Sequence, residues 1–268
     1  VDVRPTHDEF LALAGDHDVV PLVRELTSDT VTPFTVYSRL AHGGRNPFLL
    51  ESVSGGERVA RYSFAGVDPY QIVEIRDGRV QVDGVPEDGD PVEVLRRVTD
   101  PGRVALLDDL PPFAGGAMGY LGYDAVRLVE SIPATGRDEA GLPDAWFGLY
   151  DSVVALDRAR QRLQLVVLAR IAGGDADTAW AAACARLDRL HRALAGGGDG
   201  PRPHALPPPR PDPWADWRAT PAAEDFLAAV ATAREHILAG DIFQVVLSRR
   251  WRRVPRCTAA EIYRMLRV

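Results

Sequence analysis

Two stretches of this 268-residue chain carry side chains whose types and spacing can do chemistry. The first is Pro47–Gly66, PFLLESVSGGERVARYSFAG. Phe48-Leu49-Leu50 reads as a hydrophobic strand, with Glu51 and Ser52 at its end. Gly55-Gly56 permits a turn, and a basic and aromatic return follows with Arg58, Arg61 and Tyr62. A carboxylate, a hydroxyl and a guanidinium facing one another suit an amino acid ligand. Glu51 takes the ammonium, Ser52 bonds either end, and Arg61 pairs the carboxylate. The same residues also fit a polar turn ahead of a Gly-Gly pair, and their chemistry alone leaves both readings open. The second stretch is Ala239–Arg250, AGDIFQVVLSRR. Read as a strand over Asp241–Ser248, it sets Gln244 between Ile242 and Val246 on one face. A buried amide there needs partners, because an unpaired one costs about 1–3 kcal/mol.

Composition removes other chemistries. All 31 basic residues are arginine, so neither a Schiff-base lysine nor a P-loop lysine is available. The two cysteines, Cys184 and Cys257, are far apart and follow no metal or disulfide spacing. No GxGxxG follows a strand pattern, which argues against a dinucleotide fold. The net charge of −7 argues against a general nucleic-acid binder. Arg249–Arg253, with Trp251 among its arginines, reads as a solvated strand end rather than an RNA contact. No apolar run reaches membrane-spanning length and Val1 opens no signal-peptide pattern, so a reducing, cytoplasmic setting is the default.

The elements that must position these residues follow from local patterns. Thr6 and Glu9 form a T-x-x-E capping box for a helix through Leu13. Val31–Leu40 reads as a strand ahead of the Phe48 strand. Gln71–Asp83 reads as a hairpin turning at Asp77-Gly78, and Val92–Val98 as a short helix. Leu110–Asp124 is glycine-rich and reads as a packing element, with Tyr120 and Tyr123 half-buried. Phe147–Leu156 and Leu163–Arg170 form a hairpin around the charged turn Asp157–Arg162, and the second strand reads as central and covered on both faces. Asp177–Leu194 is an amphipathic helix with Trp180, Ala183, Cys184, Leu187 and Leu190 on one face. Seven prolines in residues 201–213 mark a linker. Thr220 and Pro221 read as the start of a helix with Phe226, Leu227, Val230, Ala233 and Ile237 as its buried stripe and Gly240 as its stop. Thr258 and Glu261 form a second capping box. The expected fold class is α+β, with mainly antiparallel sheets and packed helices. The expected organisation is a domain over 1–195, a Pro/Gly-rich linker over 196–218 and the start of a second domain over 219–268. That last segment holds too little to enclose a core, so the chain is expected to stop inside a domain.

LLES at Leu49–Ser52, GGAMGYLGYD at Gly115–Asp124 and AGDIFQVVLSRR occur in that order. With these three motifs the chain resembles, over essentially its whole length, the large chorismate-using subunit of anthranilate synthase, component I. The resemblance implies a β/α/α/β sandwich of which this chain holds the N-terminal part. It implies a carbon–oxygen lyase that converts chorismate and ammonia to anthranilate and pyruvate in tryptophan biosynthesis, inhibited by tryptophan. The LLES element belongs to the family's tryptophan site, so Leu50, Glu51 and Ser52 are the implied contacts. Arg61 is a looser match because the spacing after LLES varies. The strand bearing Gln244 lies beside the family's chorismate pocket; isochorismate-forming relatives carry a lysine base there, which Gln244 cannot be. The implied cofactor is Mg²⁺, with its glutamate ligands and the acid/base residues expected beyond Val268. No catalytic or metal residue is therefore assignable here, and the chain as it stands is expected to be inactive alone. The implied partner is a glutamine amidotransferase, component II, in a hetero-oligomer. The sister enzyme aminodeoxychorismate synthase component I is the alternative within the family, although the wording FLLES and GDIFQVVLS leans towards anthranilate. A non-catalytic tryptophan-sensing or partner-docking fragment is the alternative outside enzymology.

Overall fold

The computed structural model describes residues 2–51, 61–133, 138, 140–171, 173–196, 212 and 214–267. The chain divides into two compact units, Val1–Arg202 and Pro203–Val268.

The first unit is built on two antiparallel sheets. The six-stranded sheet has the order β1-β2-β11-β10-β4-β3. Its strands are β1 (Val3–Arg4), β2 (Val19–Thr27), β3 (Phe48–Glu51), β4 (Tyr62–Gly66), β10 (Ser152–Asp157) and β11 (Arg162–Arg170). The five-stranded sheet has the order β7-β6-β5-β9-β8, from β5 (Gln71–Arg76), β6 (Arg79–Val82), β7 (Val85–Glu87), β8 (Gly116–Leu121) and β9 (Ala145–Tyr150). Helices α1 (His7–Ala14), α2 (Pro33–Ala41) and α4 (Ala176–Ala195) pack on the first sheet. Helix α3 (Pro91–Thr99) packs on the second through Val94, against Val73, Ile75, Val80 and Val82. This is the α+β class that the sequence leads one to expect.

β11 is the sheet's central strand, hydrogen-bonded along its length to β2 and β10. Leu163 to Ala169 are all buried, as expected for a strand covered on both faces. Gln164 within this run keeps its amide satisfied, donating to Glu25 Oε1 at 3.1 Å and to the Asp109 carbonyl at 2.9 Å. α4 lays Ala183, Leu187, Leu190 and Leu194 onto the sheet at helical spacing, each leucine contributing about 1.5–3 kcal/mol of burial. The Thr6–Glu9 capping box is complete on α1, and Asp77-Gly78 takes positive φ at both positions, the turn that closes the β5–β6 hairpin.

Three expectations in this unit are corrected. Val31–Leu40 is not a strand. Thr32 caps a helix, accepting from the Thr35 N–H at 3.1 Å, and Pro33 occupies its first turn. The Phe147–Leu156 run is two strands. The chain crosses from one sheet to the other at Asp151, whose carboxylate pairs with Arg186 of α4. Both strands are apolar and buried, so nothing in the residue pattern marks the crossing. Tyr120 and Tyr123 are exposed rather than half-buried, Tyr120 on β8 and Tyr123 in the 3₁₀ turn that follows it.

The second unit holds a two-stranded ribbon, β12 (Arg218–Thr220) with β13 (Arg250–Arg252), and helices α5 (Ala223–Ala239) and α6 (Ala259–Leu266). Trp214, Trp217 and Trp251 cluster on the ribbon, with the Arg249 guanidinium 4.8 Å from the Trp251 ring centre. Gly240 ends α5 in the left-handed conformation, and the Thr258–Glu261 capping box is complete on α6. Thr220, however, lies in the ribbon, paired with Arg250 and two residues short of the N-cap position; α5 begins after Ala222 without a side-chain cap. The stripe expected to be buried on α5 is not, with Leu227 and Ile237 exposed. Residues 241–248 form no ladder, because the ribbon's hydrogen bonds reach only Arg250–Arg252. The linker expected over 196–218 lies largely outside the described residues.

Candidate functional site

β3 ends at the candidate ligand residues. Leu50 is paired with Phe64 of β4 and Glu51 with Ser63. Successive residues of a strand face opposite ways. Leu49 and Ala65 join the core under the helices, and Phe48 and Phe64 join an aromatic cluster with Phe113, Tyr150 and Met118 on the other face. Leu50 and Glu51 therefore lie on opposite faces, and a ligand touching both must sit off the strand end. Ser52 lies outside the described residues.

Glu51 is a buried carboxylate, its side chain 1% exposed. Arg158, in the turn between β10 and β11, pairs with it, its Nη2 donating to Glu51 Oε1 at 2.9 Å. The same Nη2 stands 3.3 Å from the hydroxyl of the fully buried Ser63. Arg61 does not face Glu51. Its guanidinium grips Asp157 with both prongs, Nε at 2.9 Å and Nη2 at 2.5 Å. Asp157 also accepts from the N–H groups of Ala159 and Arg160. The Arg61 hydrogen bond holds the Asp157 carboxyl below the usual carboxylate range. Arg61 also lies over the Tyr62 ring at 4.8 Å, and burial pushes the Tyr62 phenol up. Arg61, the residue expected to meet a ligand carboxylate, is held by the Asp157 carboxylate in this structure.

Arg158 escaped sequence reasoning. Its only signal was the charge density of Asp157–Arg162, and its partner stands 107 residues away. Gln244, placed by the sequence on a strand face, is exposed in the stretch without a ladder.

A cleft of about 780 Å³ opens between the C-terminal halves of α2 and α4, lined by Arg39, His42, Asp68, Asp151, Arg186 and Arg192 among others. Three of the arginines that line it serve the fold. Arg39 donates to the Leu194 carbonyl at 2.6 Å, Arg192 to the Asp188 carbonyl at 3.3 Å, and Arg186 pairs with Asp151. Cations at helix C-termini answer the unpaired carbonyls and the negative end of the dipole, which disfavours an anionic ligand there. Among the described residues, no group of three or more His, Cys, Asp or Glu side chains is placed to hold a metal ion. Among them, too, no helix is long and apolar enough to cross a membrane.

Comparison with known proteins adds the following. A family model described as chorismate binding enzyme matches residues 45–268. The chain is 40% identical over 260 residues to anthranilate synthase component 1 of Streptomyces coelicolor, covering 96% of this chain and 48% of that protein. It is 33% identical over 270 residues to anthranilate synthase component 1 of Acetivibrio thermocellus, covering 98% and 54%. Among solved structures it is similar to anthranilate synthase component I from Streptococcus pneumoniae, with a TM-score of 0.66 and 26% identity over 90% of this chain and 52% of that one. The chain spans about half the length of the relatives it matches.

Proposed function

The chain belongs to the chorismate binding enzyme family, and from that premise we propose that it works as part of an anthranilate synthase component I. The observation that carries this reading is similarity along 96% of the chain to a protein of that name, through both units. The proposed reaction takes chorismate and ammonia to anthranilate and pyruvate, a carbon–oxygen lyase step in tryptophan biosynthesis. The numeral in the relatives' names supports a second component, and a glutamine amidotransferase supplying ammonia fits that place. The family resemblance brings Mg²⁺ with it, and the described residues offer no ligand set for the ion. Gln244 carries no ionisable group, which favours an amination over a lysine-activated hydration.

The proposed regulation is inhibition by tryptophan at the end of β3, with Leu50, Glu51 and Ser52 as contacts. In support, the structure has a buried carboxylate at that strand end beside the exposed Leu50. Feedback follows if tryptophan binds a less active arrangement preferentially. The test is anthranilate fluorescence from chorismate, Mg²⁺ and an ammonium salt, using the intact protein. Activity that tryptophan suppresses in the wild type and no longer suppresses in Ser52→Phe is the expected result. An aminodeoxychorismate product would reassign the reaction to the sister enzyme, and unchanged inhibition in Ser52→Phe would remove Ser52 from the site.

A further inference from the structure

We propose that β8 is a docking edge on which a second copy of this chain adds its own β8 in antiparallel pairing, joining two five-stranded sheets into one.

The two edges of the five-stranded sheet are built differently. β7 is protected. It is three residues long, contains Pro86 and ends at Glu87, whose carboxylate pairs with Arg97 of α3 at 2.7 Å. Short length, proline and charge are the devices that keep an edge strand from pairing with other chains. β8 has none of them. It is six residues long, Gly116–Leu121, with no proline and no charged side chain. Its ladder with β9 runs from Gly116 opposite Tyr150 to Leu121 opposite Ala145 without a bulge. Among the described residues nothing hydrogen-bonds to its outer side. Leu121 is 62% exposed and Tyr120 39%. A strand added here satisfies a row of backbone groups and covers these side chains at once.

The strand is complementary to itself. A two-fold axis perpendicular to the sheet sets two copies of β8 side by side and antiparallel, with opposed residues pointing to the same face. With Gly119 on the axis, Ala117 stands opposite Leu121 of the second copy, small against large. Met118 stands opposite Tyr120 of the second copy, a thioether against an aromatic ring. The symmetry makes each of these contacts twice. Gly119 meets itself with no side chain to crowd the axis. No like charges are opposed, the arrangement that would destabilise such a pair. A strand rich in charge would find no counter-charge on β8, so the edge favours an uncharged partner such as itself.

Light scattering of the intact wild-type protein is expected to give twice the protomer mass. Leu121→Lys places a charge on the exposed edge and is expected to raise the dissociation constant of the dimer by about tenfold or more. Val85→Lys, an equally exposed position on the protected edge, is expected to leave it unchanged. Thermal melts of both variants check that the fold persists. Ala117→Cys combined with Leu121→Cys provides the second readout. The two positions are too far apart along one strand to bridge within a chain. Oxidation should therefore link two chains in the double variant and give nothing above the wild-type level in either single one. A dimer that Leu121→Lys leaves intact, or that the cysteine pair does not link, forms elsewhere on the molecule and overturns the proposal. Equal loss in Val85→Lys overturns it too, since added charge alone would then be the cause. A monomeric wild type also overturns it, and slow hydrogen exchange along β8 in that monomer would assign the edge to another polypeptide.

Discussion

At the scale of the residue, the decisive fact is which arginine meets which carboxylate. Glu51, Arg61, Asp157 and Arg158 form two pairs within one sheet end, Arg61 with Asp157 and Arg158 with Glu51. The Arg61–Asp157 pair makes a pH-dependent contribution with a definite sign. The folded-state carboxyl of Asp157 is depressed, first by the Arg61 hydrogen bond. Its stabilisation is therefore complete above the ordinary carboxylate pKa and is lost as pH falls through the depressed folded value. Asp157→Asn should melt below the wild type at neutral pH, by a few degrees. That difference should close on acidification below the ordinary carboxylate range; thermal melts of both proteins from pH 7 downward check it. A constant gap across that range would mean that the carboxylate's charge is not what stabilises the turn. A second buried group behaves oppositely. Burial pushes the Tyr150 phenol up to about 12, and its hydroxyl donates to the Asn46 carbonyl at 2.5 Å. Raised in the folded state, it contributes fully below the ordinary tyrosine value and loses that contribution as pH climbs through its own.

At the scale of the element, the glycine-rich stretch is constrained by the backbone of its neighbouring strand. It is read from sequence as a packing segment, and the structure gives the reason at Gly119. β8 runs so close to β9 that a Cβ on Gly119 would lie 1.8 Å from the Trp146 carbonyl oxygen and 2.7 Å from the Phe147 Cα. Both obstacles are backbone, which cannot swing aside as a flexible side chain would. Gly119→Ala must push the two strands apart. The expected cost is about 1–3 kcal/mol, the range for forcing a backbone shift by an added methyl group, read as a lower urea midpoint at unchanged slope. A midpoint equal to the wild type would show that the edge strand yields freely. Capping boxes and the Asp77-Gly78 turn were legible in advance because each closes within four residues. α2 was misread although its Thr32-Pro33 start was in plain view. The β-branched and aromatic content of TPFTVYSRL suggests a strand, but a capped helix start with Pro33 in its first turn outweighs that weak preference.

At the scale of the whole molecule, the core is unevenly shared. Every buried hydrophobic residue among those described lies at or before Leu194, so the described residues of the second unit include none. A unit whose described apolar residues are at most partly buried gains little to offset the entropy of ordering its chain. Residues 1–202 expressed alone should unfold cooperatively, and residues 203–268 alone should show no cooperative transition by circular dichroism. A sharp melt of the shorter piece would mean that it closes a core of its own.

What the sequence by itself determined was what depends on neighbours in the chain. Caps, the tight turn, the long amphipathic α4 and the doubly covered β11 follow from patterns a few residues wide. The three ordered motifs pointed to the family, because a linear order of words survives without coordinates. Only the tertiary structure decided the crossing at Asp151 between two sheets, the absence of a ladder around Gln244 and the pairing of Arg158 with Glu51. Each of these depends on what lies across space. A strand exists only where another supplies its hydrogen bonds, and an arginine 107 residues distant can close on a carboxylate only once β4 and β10 have brought the two ends together.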